Sequence, residues 1–161
     1  MMKKLMIFLT VLFLAAQASQ AMAAQCYSRS EAEAEQAIRI HSELMVIGLN
    51  CMNMRFRDGT NLYRTYHNFT RANSDMFQGY EQTLVDYFRK AGHDQPERSL
   101  DTLRTVLANN ISNSAARMKP DQFCNRYAGR VLQASGMDRS TLRQWASTFH
   151  PSHPVSRPIC E

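Results

Sequence analysis

Four groups of side chains in this sequence have types and spacings that could do chemistry. His41, Met45 and Met52 lie at i, i+4 and i+11, on one line of a helix. Imidazole and thioether are the donors that soft copper(I) or a haem iron accepts, so this line is the candidate ligand or metal surface. No second histidine follows His41 at i+3 or i+4, and methionine at helical spacing is more commonly a filler of core gaps. The plainer assignment for His41 is a hydrogen-bonded core residue, and no cofactor is expected.

Arg126 and Arg130 are also one helical turn apart and form a candidate anion patch, with Arg139 or Arg143 as possible additions. A solvated helix face is the plainer account of them. Glu43 and Glu81 are the two acids placed next to apolar residues. General acid–base work needs two carboxylates with separated pKa values in one cleft, and periodicity puts both at a solvent boundary. The chain has no G-x-S-x-G elbow and no glycine-rich phosphate loop. No catalytic residue is therefore assigned.

The fourth group is Cys26, Cys51, Cys124 and Cys160. Zinc sites favour C-x2–4-C pairs and thioredoxin-like redox sites need C-x-x-C, and neither spacing occurs. Two structural disulfides are expected instead. Cys26 and Cys51 flank one helix, whose ends lie about 30 Å apart at 1.5 Å per residue. A disulfide tolerates roughly 4.4–6.8 Å between Cα atoms. In an antiparallel order the end of the first helix meets the start of the fourth, which pairs Cys51 with Cys124 and leaves Cys26 for Cys160.

The elements that position these groups follow from the hydrophobic pattern, which is helical throughout and nowhere sustains strand alternation. Ser30 and Glu33 read as a capping box for the first helix. Ile40, Leu44, Ile47, Cys51 and Met54 form one apolar stripe along it and Ile38, Met45, Leu49 and Met52 a second, so it must be largely surrounded. Acidic residues open it, and Arg55 and Arg57 close it with the sign that the helix dipole favours. Gly48 within it suggests close approach of another helix or a ring, with Tyr66, Phe69 or Trp145 as the candidates.

Asp58-Gly59 marks a turn and Thr60 a cap for a second helix reaching Ala91, with a break or kink expected in "RANSDMFQG". Pro96 starts a third helix after Asp94 or Gln95, with Leu100, Leu103, Leu107, Ile111 and Met118 on its inner line. Pro120 starts a fourth that ends at Gly136, and Asp138 caps a short fifth. The tail "HPSHPVSRPICE" holds three prolines and cannot be helical.

The expected fold is all-α: a disulfide-stapled bundle of four to five mostly antiparallel helices. Residues 1–23 read as a cleaved signal peptide, with Lys3 and Lys4 before an apolar run and Ala21-Met22-Ala23 at its end. Residues 24–149 form a single helical domain, and 150–161 an extended tail tethered by Cys160. Of 19 basic residues, the loss of Lys3 and Lys4 leaves 17 against 14 acidic, a formal charge of +3. This is too mild for a nucleic-acid footprint, and no mature segment is long and apolar enough to span a membrane. The function expected is that of a periplasmic or secreted, soluble, non-enzymatic binding or structural protein whose partner is another envelope or secreted protein. A carrier of copper, haem or a small ligand at His41, Met45 and Met52 is the alternative, and a hydrolase of envelope polymers the third.

Overall fold

The computed structural model describes residues 26–54 and 56–160, so the expected signal peptide and Arg55 lie outside the described residues. Among them are six α-helices: α1 (Arg29–Asn50), α2 (Leu62–Ala72), α3 (Ser74–Lys90), α4 (Pro96–Ala116), α5 (Pro120–Ser135) and α6 (Arg139–Ala146). The class is all-α. The count exceeds four to five because the second predicted helix is divided at Asn73, which closes α2 and opens α3. Asn73 donates from its backbone N–H to the Phe69 and Thr70 carbonyls and from Nδ2 to the Phe69 carbonyl at 2.9 Å. A side chain that bonds locally in this way competes with helix continuation. Gly79 stays inside α3.

α1 is the axis of the molecule and packs on every other helix. Its C-terminal half joins a cluster that includes Leu44, Ile47, Phe69, Phe77, Phe123 and Val131. Its N-terminal half joins a second, built with Ala34, Ile38, Leu84, Phe88, Leu100 and Leu107. Being buried along both halves, α1 needs apolar residues on more than one stripe, as its sequence has.

The ends of α1 differ from the sequence expectation. The capping box is Ser28 with Glu31, one S-x-x-E pattern earlier than Ser30 with Glu33: Glu31 N–H donates to Ser28 Oγ and Ser28 N–H to Glu31 Oε2 at 2.7 Å. Glu33 instead accepts from Tyr80 Oη at 2.6 Å, tying α1 to α3. The helix stops at Asn50, so Met54 lies beyond it and Arg57 belongs to a turn. The cap of α2 is Asn61, whose Oδ1 accepts from Arg64 N–H at 2.9 Å; Thr60 donates its N–H to Asp58 Oδ1. Pro96, Pro120 and Asp138 open α4, α5 and α6 as the pattern predicts.

Cys51–Cys124 and Cys26–Cys160 are the two disulfides, with Cα separations of 5.6 and 5.2 Å. The first is buried in the core and joins the end of α1 to the second turn of α5. The second joins the two ends of the described chain. Beside it the tail runs parallel to Tyr27: Tyr27 N–H donates to the Pro158 carbonyl at 2.7 Å and Cys160 N–H to the Tyr27 carbonyl at 2.8 Å. Val155 and Ile159 pack on the second cluster. None of the described helices is long and apolar enough to cross a membrane.

Candidate functional site

A groove lies where two helices fail to close on each other. α4 packs on α1 and α3 but only sparsely on α5. The gap leaves a cavity of about 530 Å³, within the size range of ligand sites. One wall is a single face of α4, with Leu103, Val106, Leu107, Asn110, Ile111 and Ser114 at helical spacing. From first to last these positions span about 16 Å of helix axis. The opposite wall is Tyr127 and Arg130 of α5, and the floor is the line Glu35, Arg39 and Glu43 on α1. Ser152 to Ser156 of the tail close one end.

The charges at the floor are already paired. Arg39 Nη2 donates to Glu35 Oε1 at 3.0 Å, and Arg130 Nη1 to Glu43 Oε2 at 2.9 Å. With both cations neutralised, the middle of the groove is apolar along α4 and electrically balanced along α1. Val106 is the most exposed of the large apolar side chains, at 52 %. Asn110 and Ser114 line the same wall and offer an amide and a hydroxyl.

The rim at the α4–α5 connection is different. Arg117, Lys119 and Arg126 are exposed there, and none forms an ion pair with a described residue; Asp121 is the one acid on α5. The Arg126 guanidinium lies 5.6 Å from the centroid of the Tyr127 ring, so a cation faces the groove's aromatic edge. These three cations, with Asp121 among them, stand just beyond the groove's lining residues.

Glu35 is the residue that sequence reasoning missed. The acidic opening of α1 reads as a solvated helix terminus, yet Glu35 is 0 % exposed. Ser156 supplies two bonds to it, from N–H to Oε1 at 2.8 Å and from Oγ to Oε2. Its neighbours hold the same tail: Gln36 Nε2 donates to the His153 carbonyl at 2.7 Å and Arg39 Nη2 to the Pro154 carbonyl at 2.8 Å. A buried carboxylate is tolerable only with such a complement of donors. The available signal was Cys160: a tail drawn back to Cys26 must cross the first turns of α1 and bury whatever face it covers.

The predicted His41 line disperses. His41 is half-buried, with Nε2 within bonding distance of Tyr66 Oη at 3.1 Å and Thr70 Oγ1 at 3.2 Å. Its ring stacks on Phe77 at 4.5 Å between centroids. Burial, with a smaller contribution from the nearby Arg104 charge, lowers its pKa to about 4, so the ring is neutral near pH 7. Met45 packs against the core, whereas Met52 lies in the turn after α1 and is exposed. Among the described residues no three His, Cys, Asp or Glu side chains are placed to hold a metal ion.

The other candidates separate likewise. Arg126 and Arg130 share a helix but not a role, since Arg130 is bound to Glu43. Arg139 is held by Asp75 at 2.6 and 2.7 Å, so it does not join them. Glu43 pairs with Arg130, and Glu81 pairs with Arg104 at 3.4 Å.

Set against protein-family models, curated proteins and solved structures, the chain has no match.

Proposed function

We propose that this is an exported, non-enzymatic binding protein of the cell envelope, whose α4–α5 groove seats a segment of another envelope or secreted protein. The observation that carries the reading is the α4 wall of the groove, about 16 Å long, on which Val106 and Asn110 are exposed above the buried Leu107 and Ile111, with basic side chains beyond one end. An amphipathic helix laid in such a groove is a recurrent recognition mode. The rim makes the fitting partner an acidic one: apolar residues along the seat and carboxylates facing Arg117, Lys119 and Arg126. Two disulfides suit the oxidising compartment that the leader-like start implies.

The carboxylates of the groove support a binding role over catalysis. Each is matched to a cation, Glu35 to Arg39 and Glu43 to Arg130, an arrangement that fixes shape and charge.

Fluorescence anisotropy with two synthetic amphipathic helical peptides tests the reading. One carries Leu and Glu, the other Leu and Lys. The Leu/Glu peptide is expected to bind at least about tenfold more tightly in low salt, with the difference shrinking as salt screens the rim. Arg126→Glu should remove most of the preference. Equal binding of both peptides, or none, would contradict the proposed partner.

A further inference from the structure

The tail that closes the groove is fixed mainly by polar contacts and one exposed covalent bond. Ser152 to Ser156 form the groove's end wall, and His150 and His153 border a smaller cavity beside it with Arg39, Glu43 and Arg130. Most of the tail's surface faces solvent, with Val155 and Ile159 its half-buried apolar anchors. Hydrogen bonds to Tyr27, Glu35, Gln36 and Arg39 hold it as well. Water competes for such bonds as soon as the segment lifts.

The two disulfides differ in access. Cys51 and Cys124 are 1 % and 5 % exposed, inside the first core cluster. Cys160 is exposed and Cys26 half-buried. Attack by a thiolate needs access to sulfur, so one bridge can react while the other is shielded.

We propose that Cys26–Cys160 is an exchangeable latch, and that a dithiol reductant opens the tail-covered end of the groove by reducing it. One thiolate of the dithiol attacks Cys160 Sγ; the Cys26–Cys160 bond breaks and Cys26 leaves as a thiolate. The dithiol's second thiolate then attacks its own sulfur in the mixed disulfide and releases Cys160. Two electrons pass to the protein, the dithiol becomes a disulfide, and the two cysteine thiolates take up the two protons it lost. Without the bridge the tail keeps only its hydrogen bonds and the half-buried Val155 and Ile159. Its release uncovers Glu35 and Arg39 and lengthens the groove along α1. This inference rests on the reading of the groove as the binding surface.

The test treats the mature protein with graded dithiothreitol in the absence of denaturant, with alkylation, peptide mapping and hydrogen exchange at each step. Cys26 and Cys160 are expected to be alkylated at least about tenfold faster than Cys51 and Cys124. The Ser156 and Cys160 amides should then exchange at least about tenfold faster, while Leu44 and Ile47 keep their protection. Leu/Glu peptide affinity should rise on reduction, and a Cys26→Ser/Cys160→Ser variant should show the same tail exchange and affinity without reductant. Simultaneous reduction of both bridges, or tail amides still protected once Cys26–Cys160 is open, would overturn the latch. A released tail with unchanged peptide affinity would overturn its link to the groove. Absence of peptide binding in both redox states, with the tail released, would overturn the groove reading and uphold the latch.

Discussion

Ser156 closes over Glu35, a carboxylate 121 residues earlier in the chain, with both its backbone N–H and its hydroxyl. On its other side Glu35 meets Arg39, one helical turn along α1. The carboxylate thus joins α1, the tail and the floor of the groove.

Removing one member of a buried ion pair strands the other. Glu35→Ala leaves Arg39 without its carboxylate and Ser156 without its acceptor. The variant should lose about 3 kcal/mol of stability, read as a lower urea midpoint. Ser156→Ala removes only the hydroxyl bond and should cost about 1 kcal/mol. A Glu35→Ala variant as stable as the parent would mean that the contacts of Glu35 with Arg39 and Ser156 contribute nothing to stability.

His41 makes stability depend on pH. Its folded pKa is about 4 against 6.5 for the unfolded chain, so between these values the unfolded state binds more protons. The neutral ring's contribution is complete above pH 6.5 and is lost as pH falls toward 4, up to about 3 kcal/mol in all. His41→Gln cannot titrate, so its stability should be flatter across this window. A parent whose thermal midpoint does not fall from pH 6.5 to 4 would contradict the assignment.

Gly48 marks a close approach of α1 and α2. A Cβ built on it would meet Tyr66 Cβ at 3.1 Å and Cγ at 3.3 Å. Tyr66 has little freedom to retreat, because its ring is buried and its hydroxyl bonds His41. Gly48→Ala gains about 1 kcal/mol of helix propensity and loses about 1–3 kcal/mol to overpacking. The balance should be destabilising, with His41 drawn from its hydroxyl partners. A more stable Gly48→Ala variant in urea would show that α2 can move aside.

Cys51→Ala/Cys124→Ala opens a loop whose ends are 73 residues apart. The chain-entropy model puts the cost at about 4 kcal/mol, and the buried site adds a cavity. Urea unfolding of this variant beside Cys26→Ser/Cys160→Ser should find the core bridge the costlier loss. The reverse order would place the main restraint in the tail.

The helical class was legible because apolar residues recur at helical spacing in every long segment, and because Pro96, Pro120 and Asp138 mark helix starts by local chemistry. The contact of Gly48 with Tyr66 was legible in part, since glycine inside an otherwise apolar helix signals close approach. The Asn73 break was harder to locate: Gly79 is the more conspicuous residue, but asparagine's bonds back to Phe69 decide it. The groove was not legible at all. It depends on how far α5 stands from α4, a tertiary quantity that neither helix encodes alone. Glu35 was misjudged for a related reason, as burial there comes from the tail and not from the pattern of α1.

Val106 provides the most direct measurement of the central claim, that the open α4 face is a binding surface. It is half-exposed and contributes little to the core, so Val106→Asp should change the unfolding free energy from urea titration by less than about 0.5 kcal/mol. The same variant should weaken Leu/Glu peptide binding at least about tenfold by placing in the apolar seat a charge of the same sign as the peptide's carboxylates. Unchanged affinity in a stably folded Val106→Asp protein would contradict the claim.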